Sequence, residues 1–91
     1  MAASAAFFMF TVYVLYSIGH HKIYVGFTTD LEARLQSHNT FATKGYTVKY
    51  RPWSVVHTEK FDTKKVALDR EKELKSAKGR QFIWSLIRSK P

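Results

Sequence analysis

Ninety-one residues, 45% hydrophobic and 15% aromatic, suffice for one small core and exclude a disordered chain. The absence of cysteine excludes disulfide staples and thiolate zinc sites, and fits a reducing, cytoplasmic compartment. The +8 formal charge is uneven: residues 1–41 set Lys22 and Arg34 against Asp30 and Glu32, while 42–91 carry thirteen basic side chains against five acidic. Such asymmetry points to a polyanion, nucleic acid before membrane, because no basic helix with an aromatic face is present.

The opening MAASAAFFMF is small and apolar with no positive start, a poor signal peptide, and the apolar run ends at Tyr16, too short to span a bilayer. Residues 1–8 are expected to be a loose tail or an upstream start, and 9–91 a single domain. FTVYVLYS, rich in β-branched and aromatic residues, predicts a strand, and KIYVGF its antiparallel partner after a turn at Ile18-Gly19-His20-His21. Alternation puts Tyr13 with Leu15 on one face, and Tyr24 with Gly26. A turn centred near Ile18 and Gly19 makes Tyr13 and Tyr24 approximate cross-strand neighbours.

Thr29 followed by Glu32 has the spacing of a capping box, so a helix is expected over TTDLEARLQSHN. Leu31 and Leu35 take its buried face, Arg34 and His38 lie along one side, and Asn39 is a plausible stop. TFATKGYTVKYR shows no sustained period and predicts a surface loop, with Lys44, Lys49 and Arg51 available to phosphates. WSVVHTEKF predicts a third strand. Asp62 or Thr63 then caps a helix to about Ala77, with Gly79 ending it, and Phe82, Ile83, Leu86 and Ile87 predict a short last helix. The order is β-β-α-β-α-α: an α+β fold, an α/β sandwich with a small three-stranded antiparallel or mixed sheet flanked by helices.

One residue in VALDREKEL stands out. At 100° per residue, Ala67, Glu71 and Leu74 fall within about 60° of one another, so a carboxylate interrupts an apolar stripe. Asp69 and Glu73 point to the flanks.

TVYVL followed by KIYVG resembles the two signature tripeptides of the GIY-YIG endonuclease superfamily, with Thr11-Val12-Tyr13 as the first and Tyr24-Val25-Gly26 as the second. Arg34 and His38 stand where that family has an arginine and then a tyrosine or histidine, and Arg70-Glu71-Lys72-Glu73-Leu74 is similar to the segment holding its metal-binding glutamate. Spanning about Phe10 to Ile87, the resemblance is strongest to small single-domain members, similar to the nuclease domain of the excision-repair subunit UvrC. Two positions depart from the pattern. Phe27 stands where the excision-repair relatives have a lysine, and GRQFIWSLI offers no counterpart to a frequent late asparagine.

The resemblance implies a metal-dependent endonuclease cutting DNA with low intrinsic sequence specificity, in repair or recombination. Branched or damaged DNA and a repair-protein partner go with that reading. Glu71 would hold Mg²⁺ or Mn²⁺, and Tyr24 would accept the proton of the attacking water. Tyr13 would orient water or phosphate, Arg34 would meet phosphate oxygens, and His38 would serve as a second base. Lys22, Lys44, Lys49, Arg51 and Arg70 are the expected nucleic-acid contacts. Taken as residues alone, Tyr13 and Tyr24 also fit core aromatics, Arg34 a surface cation paired with Asp30, and His38 a helix-end hydrogen bond. The competing expectation is a nucleic-acid-binding module of the same fold with weak or lost catalysis, which Phe27 favours.

Overall fold

The protein was analysed as a computed structural model, which describes residues 9–89; the expected tail at 1–8 lies outside them. Strand β1 (Phe10–Ser17) is the centre of a fully antiparallel sheet of order β2-β1-β3, between β2 (Lys22–Thr28) and β3 (Ser54–Phe61). Its central position explains its unbroken apolar and aromatic run from Val12 to Tyr16, for Thr11 to Leu15 are all buried and face protein on both sides. The turn between β1 and β2 places His21 at φ 55°, a left-handed conformation that histidine tolerates better than most residues.

The two faces bury different side chains. On one, Val12, Val14, Ile23 and Val25 pack under Ala67 and Leu74 of α3 (Lys64–Leu74) and Ile83 of α4 (Ala77–Ser89). On the other, Tyr13, Leu15 and Trp53 form a second cluster with Tyr24, Leu31, Leu35, Tyr50 and Val55. Helix α1 (Leu31–Gln36) covers that second face and continues into a π-helical turn at Ser37–Phe41; the short α2 (Tyr46–Lys49) follows. β3 carries a bulge, pairing Val14 with His57 but Leu15 with Val55, which leaves Val56 as the extra residue.

Several sequence expectations are corrected here. Asp30, not Thr29, caps α1, its carboxylate accepting from the Ala33 amide at 3.1 Å, while Thr28 and not Thr29 braces the Asp30 backbone. The helix does not stop at Asn39, because the π-turn carries it to Phe41. The expected loop at 40–51 contains α2, whose Thr47 is buried. Thr63 caps α3, accepting from the Val66 amide, as one of the two alternatives held. Gly79 ends no helix: it lies buried inside α4, where a Cβ would collide with the backbone of Glu73 and Leu74. Glycine is there for close approach between α3 and α4, a demand the sequence pattern does not separate from a helix stop.

Overpacking at such a contact costs about 1–3 kcal/mol. Gly79→Ala should therefore lower the Tm by roughly 5–20 °C for a domain of this size, measured by circular dichroism. An unchanged Tm would mean that α4 does not sit against the Leu74 backbone.

Candidate active site

The hairpin register opposes Tyr13 to Gly26 and Leu15 to Tyr24, so the two tyrosines are diagonal neighbours on one face, not directly paired. Their rings lie 6.3 Å apart. The Tyr13 ring runs across Gly26, where an added Cβ would come within 2.6 Å of the phenolic oxygen. Only glycine leaves that space, which gives the last residue of Tyr24-Val25-Gly26 a packing role.

The π-turn delivers His38 onto the same face. Its Nε2 is 3.0 Å from the Tyr13 hydroxyl and its Nδ1 3.0 Å from Thr47 Oγ1, and its ring centre is 4.8 Å from that of Tyr24. Burial, then the Arg34 and Arg51 charges, pulls the His38 pKa below its ordinary value, so the ring is neutral at pH 7. A neutral imidazole has one donor and one acceptor. Burial pushes the Tyr13 hydroxyl up, against the pull of Arg34, with the Tyr24 and Glu71 charges adding to the rise. The phenol thus keeps its proton and donates it to Nε2, and Nδ1–H donates to Thr47.

Arg34 is exposed on α1, and its guanidinium is set beside the Tyr13 and Tyr24 hydroxyls; the Tyr13 contact contributes most to raising its pKa. It makes no ion pair with Asp30, which is occupied at the helix cap. Glu71 lies between Ala67 and Leu74 on the inward stripe of α3, its side chain 17% exposed, with Lys75 Nζ 3.1 Å away. Its carboxylate is near enough to bear on Tyr13, as the least of the influences there. Tyr13, Tyr24, Arg34 and His38 are therefore brought together, with Glu71 at their margin.

The basic residues divide. Lys22, Lys44 and Lys49 are exposed, Lys22 with its ammonium 5.3 Å from the Tyr50 ring centre. Arg51 instead turns inward, donating to the carbonyls of His38 and Ala42, both at 2.6 Å, and to that of Ser37. Arg70 is bound to Glu59 by two hydrogen bonds, at 2.7 and 2.9 Å, and to Glu73 by a third at 2.7 Å. Both guanidiniums are thus engaged by groups of the protein itself. Sequence reasoning missed Thr47, for which a lone threonine in an aperiodic segment gives no signal. It also missed Tyr46, flagged only by aromatics alternating with lysines across 44–50.

The model of the GIY-YIG catalytic domain matches residues 9–83. The chain belongs to the GIY-YIG family. Members of the family are generally endonucleases. A UPF0213 protein of Natronomonas pharaonis is 43% identical over 65 residues, covering 71% of this chain and 75% of that protein. One of Bacillus velezensis is 40% identical over 73 residues, covering 77% and 74%. The solution NMR structure of a UPF0213 protein from Bacillus halodurans superimposes with a TM-score of 0.51 at 28% identity, covering 86% of this chain and 84% of that one. The GIY-YIG match takes in the hairpin, the His38 turn and Glu71 together.

A pKa depressed on folding favours the folded state above the unfolded value of 6.5, and that stability is lost as pH falls below it. Urea unfolding should give wild type a larger fall in midpoint between pH 7.5 and pH 5 than His38→Gln shows. Equal falls would mean that His38 is not held neutral by the fold.

Proposed function

We propose that this GIY-YIG domain is a metal-dependent endonuclease hydrolysing DNA phosphodiester bonds, with low intrinsic sequence specificity, in repair or recombination. The observation that carries the reading is the convergence of Tyr13, Tyr24, Arg34 and His38 on one sheet face beside a half-buried Glu71. Among the described residues no three His, Cys, Asp or Glu side chains cluster, so the protein offers a metal one carboxylate. That fits Mg²⁺ or Mn²⁺, which keep waters and take substrate phosphate oxygens as their other ligands. When bound at Glu71, the ion would supply Lewis-acid neutralisation of the phosphate and the leaving oxygen.

The chain's own residues take the remaining roles. Tyr13 is buried and keeps its proton, so it positions rather than accepts. Tyr24 is only half-buried on the same face, and is the phenol placed to take the proton of an attacking water. As a phenolate it would be faced by the Arg34 guanidinium, which also suits non-bridging phosphate oxygens. The water oxygen bonds to phosphorus as the bond to the leaving oxygen breaks. Exposed Lys22, Lys44 and Lys49 supply contacts to DNA phosphates, which position a strand without reading its bases. Preference for branched or damaged DNA would then come from a repair partner.

Phe27 packs in the core under α3 and α4, on the face opposite Tyr24. No cation occupies that position, which is the observation favouring the second reading, a binding module with lost catalysis. Arg34 offers the alternative cation, and cleavage separates the two readings.

Cleavage of labelled single-stranded, duplex and branched DNA with Mg²⁺ or Mn²⁺ should be abolished by EDTA. Tyr24→Phe and Glu71→Ala should each slow it by about 10²-fold or more, the scale of a lost proton acceptor or metal. Intact binding without cleavage by the wild type would establish the binding module. Cleavage surviving Glu71→Ala would remove the metal from that residue.

A further inference from the structure

A cavity of about 440 Å³ runs along the outer edge of β2 beside Tyr24, lined by Ile23, Tyr24, Val25, Tyr46, Lys75 and Arg80. Its size is that of a site for one small ligand. Three features suit a nucleotide. Tyr46 is 46% exposed, its ring nearly parallel to that of Tyr24 at 26° and 6.5 Å from it, with the Tyr50 ring at 5.0 Å and Trp53 at 6.1 Å. Arg80 has no carboxylate partner among the described residues, whereas Arg70 is fully occupied. Lys75 reaches from the cavity rim to Glu71, which joins this space to the candidate active site.

A larger groove of about 560 Å³, lined by Phe61, Val66, Arg70 and Glu73 among others, lies on the side of α3 away from Glu71. Its guanidinium is tied to Glu59 and Glu73, so it offers an anion little.

Within a duplex the face of each base is covered by its neighbours, so an aromatic ring can meet only an unpaired or extruded base face-on. We infer that the cavity is a subsite for one unpaired nucleotide next to the scissile phosphate: Tyr46 stacks on its base, and Arg80 holds its phosphate. Its place beside the scissile bond rests on the nuclease reading; its binding chemistry does not.

The test is fluorescence anisotropy in EDTA, with a short labelled oligothymidylate and a blunt labelled duplex as separate probes. Tyr46→Ala should weaken binding of the single strand about tenfold, the scale of one base–aromatic stack, with duplex binding unchanged. Tyr46→Phe should bind the single strand like wild type. Arg80→Ala should flatten the dependence of log affinity on log salt by about 0.7, one single-strand phosphate contact. The subsite is overturned if wild type does not bind the single strand, if Tyr46→Ala binds it normally, or if that variant loses single strand and duplex in equal proportion. Comparing the two probes on one variant separates lost stacking from lost folding. EDTA keeps binding apart from any metal-dependent cleavage: a Tyr46 effect in EDTA, with no cleavage by the same protein once Mg²⁺ is supplied, would overturn the nuclease reading and leave the subsite standing.

Discussion

The contact between the Tyr13 hydroxyl and His38 Nε2 is the constraint around which the site is arranged. A phenol buried to 1% exposure must satisfy its hydroxyl inside the protein, and an unmet buried polar group costs about 1–3 kcal/mol. Gly26 makes the burial possible by leaving the space that the ring fills, and His38 makes it tolerable by accepting the hydroxyl's hydrogen bond. Each then forces a further choice. His38 must stay neutral to accept, its other nitrogen must donate, and Thr47 must be brought in from nine residues away to receive that bond. The hairpin, the π-turn and α2 are thereby coupled through the side chains of Tyr13, His38 and Thr47.

Holding His38 in place takes more backbone than one helix end supplies. Arg51 donates to the carbonyls of His38 and Ala42 at the end of the π-turn, and to that of Ser37, which also accepts from the Ala42 amide. Asn39 grips the Trp53 backbone through both amide atoms, and the Trp53 indole donates to the Thr47 carbonyl at 2.7 Å. Arg51 and Trp53 thus lock a segment that lacks sequence periodicity. Arg51 also adds a positive charge near His38, which disfavours imidazolium and reinforces the neutral ring that Tyr13 needs.

Period and spacing were enough to find the strands, the last two helices and the inward Glu71, because burial there follows one face of one element. Alternation also put Tyr13 and Tyr24 on a common face. What could not be seen was set by contacts between elements. The tyrosines' diagonal offset depends on a turn of four residues, and Gly79 depends on how closely two helices cross. Arg51 illustrates the limit best. A guanidinium in an aperiodic basic segment is expected to meet phosphates, and nothing in the sequence signals the carbonyls at the π-turn to which it donates.

On the proposed nuclease reading the two tyrosines have unequal work. Both lie on one face within reach of one arginine, but Tyr13 is sealed beneath His38 while Tyr24 meets solvent. A group that must exchange a proton with water has to be wet, and a group that must fix a neighbour has to be dry. Phe27 sharpens the consequence. Because strand alternation turns its side chain to the α3–α4 core, a lysine at that position would have to leave the core to reach Tyr24. Arg34 stands beside both hydroxyls from the opposite layer without that cost, so on the proposed nuclease reading the cation facing Tyr24 is carried by the helix that Asp30 caps.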